Sequence, residues 1–138
     1  LKQIRDAWEN KQGLGLEKGD RVCILSPNSH FFLESFYATS QLGAILVPLN
    51  FRLVAADHEY ILNHAGIVCM LADRELAQTS TSLHKSLPKV NLWISACDEG
   101  KQVDGWNDWD EFIADRSTER PPPSGCEEND LVSINYTS

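Results

Sequence analysis

The feature that most constrains the fold is a series of short, almost uninterrupted apolar runs, separated by segments of helical period. The runs lie at residues 21–26, 44–49, 67–72, 90–95 and 131–136. Continuous apolar strands are typical of parallel sheets that are covered on both faces. Intervening segments of about 10–15 residues suit the helices that cross over between parallel strands. We therefore expect an α/β fold, a doubly wound and mostly parallel sheet with helices on both faces.

Local signals place the helices between these strands. Residues 31–42 are apolar almost all round, which predicts a deeply buried helix closed by Gly43. Asn28 or Ser29 is available to cap the start of that helix. The next helical stripe ends at Gly66, where a left-handed glycine commonly terminates a helix.

Two further helices are predicted downstream. Asp73 follows the third apolar run and can cap the helix after it. The spacing of Trp106, Trp109 and Ile113 predicts a short acidic helix, with the two tryptophans holding it against the sheet.

Composition limits the class of protein. The 138 residues are 42% hydrophobic and 23% charged, an ordinary globular balance for one α/β region over residues 1–138. The net charge of −8 resides in residues 98–130, an acidic, proline-containing connecting segment that we interpret as a solvated surface. No basic patch of the kind that binds nucleic acid is present in the sequence.

Cysteine and histidine spacing argue against metal and redox sites. The four cysteines form no Cys-x-x-Cys pair, and they indicate a reducing, intracellular compartment, whether cytoplasmic or peroxisomal. His58 and His64 are six residues apart, which does not align two ligands on one helical face. The longest apolar run is too short for a transmembrane segment. The first residue is not methionine and the last follows an apolar run, so we expect part of a longer chain.

Candidate ligand contacts lie where strands end, since open parallel sheets bind ligands at the carboxyl ends of their strands. Thr137 and Ser138 are either a hydroxyl pair in an ordinary turn or the opening of a phosphate-binding loop. Arg52 either binds a carboxylate or phosphate, or is a surface residue. From spacing alone the turn and the surface residue are the favoured interpretations.

Four segments of the chain together carry a family pattern. They are residues 15–29 (GLEKGDRVCILSPNS), 36–53 (FYATSQLGAILVPLNFRL), 59–65 (EYILNHA) and 130–138 (DLVSINYTS). In this order they resemble the AMP-forming acyl-CoA synthetases of the adenylate-forming ligase superfamily. The last segment is similar to the strand that leads into the family's phosphate loop, Thr-Ser-Gly-Thr-Thr-Gly-x-Pro-Lys-Gly.

The resemblance implies an ATP-dependent carboxylate–CoA ligase. A small-molecule carboxylic acid would attack the α-phosphate of ATP to give an acyl adenylate and pyrophosphate, and the thiol of coenzyme A would then displace AMP. Mg²⁺ would offset the phosphate charge. Thr137 and Ser138 match the first two positions of the phosphate loop, and they alone carry over as nucleotide contacts. No catalytic or metal-binding residue carries over.

The family's loop glycines and lysine, its ribose-binding aspartate and its C-terminal lysine domain have no counterpart in these 138 residues. We therefore expect an N-terminal fragment of the ligase, inactive by itself and without tight binding of ATP, Mg²⁺ or CoA. Two alternatives stay open. One is an adenylation domain of a peptide-synthetase system, which usually has Gly-Gly-Ala-Tyr-Val-Pro where residues 43–48 read GAILVP. The other is a non-enzymatic α/β interaction module with an acidic partner surface.

Overall fold

A single parallel sheet organises the chain. The structure, a computed structural model, describes residues 15–96, 101–114 and 125–137. Its strands are β1 (Arg21–Leu25), β2 (Ile45–Pro48), β3 (Ile67–Asp73), β4 (Leu92–Ala96) and β5 (Asn107–Asp108). The order is β2-β1-β3-β4-β5, and each neighbouring pair is parallel. The parallel α/β sheet expected from the apolar runs is therefore confirmed.

Helices connect the strands as the sequence indicated. They are α1 (His30–Leu42), α2 (Ala55–Ala65), α3 (Arg74–Ser80), with a 3-10 segment at Thr81–Lys85, and α4 (Trp109–Ile113). The Ser29 hydroxyl accepts a hydrogen bond from the Phe32 amide at 3.2 Å, so Ser29 is the α1 cap. Gly43 and Gly66 end α1 and α2 in the left-handed conformation, as predicted. Asp73 precedes α3 but makes no side-chain capping bond, contrary to the prediction.

Alternate residues of β1, β2, β3 and β4 enter two separate cores. On one face, Val22 and Ile24 of β1 pack with Phe31 of α1 and Phe112 of α4. On the other face, side chains from β1 and β3 pack with α2, α3 and the 3-10 segment. Helices therefore cover both faces of the sheet, which explains why its strands are apolar without alternation.

The predicted fifth strand at residues 131–136 is not a regular strand. It forms one parallel bridge, between Ser133 and Leu46 of β2. The Leu46 amide donates to the Val132 carbonyl at 3.0 Å, and the Ile134 amide donates to the Leu46 carbonyl at 2.9 Å. The segment thus extends the sheet beyond β2 through a single residue pair. Leu131 and Val132 remain exposed because no helix of the described chain covers them.

Two predictions about helix packing are wrong in detail. Leu33 and Tyr37 of α1 are exposed at 56% and 51%, so only one side of that helix is buried by the described chain. Trp106 and Trp109 do not hold one helix, because β5 lies between them. Trp109 packs edge-on against Phe31 with ring centres 4.8 Å apart, whereas Trp106 enters the core on the opposite face.

Candidate functional site

A cleft of about 560 Å³ lies at the carboxyl edge of the sheet. It opens between the loop after β2, one side of α2 and the end of the 125–137 segment. Its lining residues are Asn50, Leu53, Asp57, Tyr60, Ile61, Tyr136 and Thr137. The site combines apolar walls with a few polar groups, the usual make-up of a small-molecule pocket.

Of the two predicted nucleotide contacts, Thr137 and Ser138, the structure describes Thr137. It is exposed, lines the cleft and follows the segment that runs parallel to β2. Its hydroxyl makes no hydrogen bond to another residue within 15–96, 101–114 or 125–137. The turn-capping interpretation therefore has no such bond to support it. Ser138 lies outside the described residues.

Contacts at its start, middle and end hold the 125–137 segment in place. At its start, the Lys18 ammonium lies 2.6 Å from the Asp130 carboxylate and donates to the Gly125 carbonyl at 3.0 Å. This hydrogen bond raises the pKa of Lys18 and lowers the pKa of Asp130 from their ordinary values. In the middle are the two backbone bonds to Leu46. At its end, the Tyr136 hydroxyl lies 2.8 Å from Nδ1 of His64.

The wall of the cleft is held by a second histidine of α2. His58 is 7% exposed, and its Nε2 lies 2.9 Å from the Asn50 carbonyl oxygen. Asn50 in turn accepts a hydrogen bond from the Arg52 amide through Oδ1 at 3.0 Å. These bonds fix the loop that follows β2. The histidines were considered only as metal ligands from the sequence, and nothing in the spacing of residues 50 and 58 indicates their contact.

Arg52, the other candidate contact from the sequence, does not line the cleft. The Arg52 guanidinium is exposed and lies 5.6 Å from the centre of the Phe51 ring, away from the cleft lining. Ser26 donates to the Pro27 carbonyl at 2.9 Å and thus serves the turn after β1. A smaller cavity of about 170 Å³ lies between β1, α2 and α3, with His58 on its wall.

The described chain shows no cluster suited to a metal ion. Among residues 15–96, 101–114 and 125–137, no group of three histidine, cysteine, aspartate or glutamate side chains comes together. In the same residues, no helix has the length and apolar character that crossing a bilayer requires.

The fold and cleft define an α/β protein with a cleft at the carboxyl edge of a parallel sheet. The family model for "AMP-binding enzyme" matches residues 11–138, so the chain belongs to the AMP-binding enzyme family. The resemblance to AMP-forming acyl-CoA synthetases seen in the sequence is thereby confirmed.

Individual relatives agree with this assignment. The long-chain-fatty-acid–CoA ligase FadD13 of Mycobacterium tuberculosis is 49% identical over 53 residues, 38% of this chain and 10% of the ligase. The medium-chain-fatty-acid–CoA ligase of Ectopseudomonas oleovorans is 28% identical over 129 residues, 91% of this chain and 23% of the ligase. The crystal structure of the anthranilate CoA ligase AuaEII with anthranoyl-AMP matches 99% of this chain and 25% of its own, with a TM-score of 0.88 and 25% identity. The chain therefore spans at most about a quarter of these relatives.

Proposed function

We propose that this chain is the N-terminal part of an ATP-dependent carboxylate–CoA ligase. The family match supports the proposal, as do the named relatives, which act on fatty or aromatic acids and CoA. The observation that carries it is the position of Thr137. An exposed hydroxyl lies beside a cleft at the carboxyl edge, where parallel sheets bind ligands.

The proposed reaction has two steps. A carboxylate oxygen of the acid attacks the α-phosphorus of ATP, the bond to the bridging oxygen breaks and pyrophosphate leaves. The thiolate of CoA then attacks the acyl carbon, and AMP leaves with the electron pair of the broken bond. An acyl adenylate is bound in the AuaEII structure, which supports the same intermediate for this chain's parent.

Thr137 would act on the phosphates. Its hydroxyl can donate a hydrogen bond to a phosphate oxygen, and bonds to charged partners are the stronger ones. Ser138 is proposed as its neighbour in this role. Asp57 also lines the cleft, and its carboxylate would repel a triphosphate. Mg²⁺, when bound with ATP, would supply the charge that offsets this repulsion.

The test is acid-dependent exchange of pyrophosphate into ATP, measured on the full-length ligase with a panel of fatty and aromatic acids. Replacing Thr137 with valine keeps the shape and removes the donor. Because a bond to a charged group contributes about 1.5–3 kcal/mol, kcat/KM for ATP should fall about ten- to a hundredfold. The melting temperature should change little, because the hydroxyl acts on the ligand.

Thr79→Val is the matched control. Thr79 is exposed on α3, and its hydroxyl donates to the Leu76 carbonyl at 3.0 Å, within its own helix. This variant should leave ATP kinetics unchanged. A Thr137→Val protein with a lowered melting temperature and normal ATP kinetics would refute the phosphate contact. In the same assay residues 1–138 alone should stay at the background of a reaction without enzyme.

A further inference from the structure

The aromatic rings of Tyr60 and His64 on α2 lie next to the ring of Tyr136, the residue before Thr137. The imidazole of His64 stacks on Tyr60 one helical turn earlier, with ring centres 5.8 Å apart and planes inclined by 14°. The Tyr136 ring meets His64 edge-on at 5.9 Å. The hydrogen bond of 2.8 Å joins His64 Nδ1 and the Tyr136 hydroxyl. We call Tyr60, His64 and Tyr136 the α2 aromatic cluster.

This cluster provides the contact at the end of the 125–137 segment. The Lys18–Asp130 ion pair lies seven residues before Thr137, and the bridge at Ser133 lies four before it. Tyr136 is its immediate neighbour. Because successive Cα atoms are about 3.8 Å apart, a side chain fixed at Tyr136 restricts where the Thr137 backbone and hydroxyl can lie.

The cluster also lines the cleft. Tyr60 and Tyr136 are both wall residues of the cavity that Thr137 borders. His64 does not line this cleft. It lines a neighbouring surface cavity along α2, which Tyr60 also lines. It therefore contacts a cleft residue without lining the cleft itself.

We propose that His64 is a positioning residue for the phosphate end of the site. Through Tyr136 it holds Thr137 at the position in the cleft wall that ATP binding requires. The inference rests on the proposed function. His64 touches neither ATP nor acid in this scheme. It acts by reducing the freedom of the Thr137 backbone before ATP arrives, which lowers the entropy cost of binding.

The test uses three variants of the full-length ligase. His64→Phe keeps a ring against Tyr60 and removes the nitrogen, Tyr136→Phe removes the hydroxyl from the other side, and the double variant combines them. A neutral hydrogen bond contributes about 0.5–1.5 kcal/mol, so each single variant should raise KM for ATP about two- to tenfold with little change in kcat. Because each single variant removes the same hydrogen bond, the double variant should raise KM for ATP no more than either single variant does.

A second measurement does not depend on activity. Amide hydrogen exchange in the peptide that covers residues 131–137 should be faster in His64→Phe than in the wild type, and exchange in β1 should be unchanged. His30→Phe is the matched control, since His30 is an exposed histidine at the start of α1. It should alter neither KM nor exchange in residues 131–137.

The outcomes separate this inference from the proposed function. A wild-type ligase without acid-dependent exchange for every acid tested would overturn the proposed function. An active wild type that is sensitive to Thr137→Val, with KM for ATP unchanged in His64→Phe, would overturn the present inference alone. Faster amide exchange without a change in KM would show that the cluster only stabilises the segment, and this result would also overturn the inference. Additive effects in the double variant would show two separate roles instead of one bond.

Discussion

The thiols of Cys23 and Cys69 lie in the centre strands of the sheet with no exposed surface. Burial raises the pKa of both thiols far above its ordinary value. Because the thiolate is the reactive species, neither should react with alkylating reagents in the folded protein. Cys126 is a free and exposed thiol whose Sγ lies 3.8 Å from the Ser40 carbonyl oxygen.

We predict that N-ethylmaleimide labels Cys126 long before Cys23 or Cys69. Opening a core strand costs close to the global stability of about 5 kcal/mol or more, so the rates should differ by about a thousandfold or more. Peptide mass spectrometry over a time course measures both rates, and labelling in concentrated urea is the control in which all react. Labelling of Cys23 as fast as Cys126 in folded protein would contradict the burial of β1.

Among single residues, the burial of the cysteines follows from the sequence, whereas the contacts of the histidines do not. Cys23 and Cys69 lie within the apolar runs at residues 21–26 and 67–72, where a cysteine behaves as a small apolar residue, and both are fully buried. The contacts of His58 and His64 were not predicted. A sequence shows that Tyr60 and His64 share one face of a helix, but which distant residue meets that face depends on the path of the whole chain.

At the scale of elements, a contact between three aromatic side chains holds the 3-10 segment against β4. The His84 ring lies 3.8 Å from the Trp93 ring and 5.6 Å from the Trp106 ring, measured between centres. Gly105 permits this approach. A Cβ there would lie 2.9 Å from His84 Cε1, and its φ of +80° also favours glycine.

We predict that this aromatic contact makes stability depend on pH. Burial lowers the pKa of His84 below its ordinary value of 6.5, although Asp104 acts in the opposite direction. The unfolded chain therefore takes up a proton at a higher pH than the folded one. The contribution of His84 to the free energy of unfolding is fully present above pH 6.5. It falls as the pH drops from there to the pKa of the folded state, and below that pKa it no longer changes.

His84→Phe keeps an aromatic ring in this contact and cannot be protonated. Urea unfolding at pH 7.5 and 5.5 should therefore show a larger loss of stability for the wild type than for this variant. His30→Phe, at an exposed site, should follow the wild type. If the wild type and His84→Phe lost equal stability between the two pH values, His84 would not be the group responsible.

Elements differed in how well the sequence predicted them. β1, β2, β3 and β4 were found within two residues because each is a buried apolar run. β5 has only the residues Asn107 and Asp108, so no apolar run marks it, and the spacing of the flanking tryptophans imitates a longer helix. The segment at 131–136 has the apolar pattern of a strand but only one residue pair with β2.

At the scale of the whole molecule, the described chain leaves large apolar side chains exposed. They are Leu33, Tyr37, Phe51, Val54, Tyr60, Leu131 and Val132. The sequence predicted that α1 would be buried all round. Of the residues that line the cleft, it predicted only Thr137 as a nucleotide contact. Both involve surfaces that the described residues do not cover, which is why local pattern alone could not define them.

The sheet edge beside residues 131–134 should make residues 1–138, purified alone, self-associate. The bridge to Leu46 uses the Val132 carbonyl and the Ile134 amide, which leaves the Ser133 backbone groups directed away from β2. An edge with unpaired backbone groups and apolar side chains pairs readily with another chain. Sedimentation velocity at rising protein concentration should detect this association, and added salt should strengthen it because salt screens the net charge of −8.

A lysine on the edge should weaken this association, and a matched variant decides whether the edge is responsible. Leu131 and Val54 are each 64% exposed, but Val54 precedes α2 and lies off the edge. Leu131→Lys should lower the association constant, whereas Val54→Lys, which makes the net charge less negative by the same amount, should not lower it. Equal lowering by both variants would show that the edge is not responsible. Residues 1–138 that stay monomeric at every concentration and salt level would show that the edge is already protected.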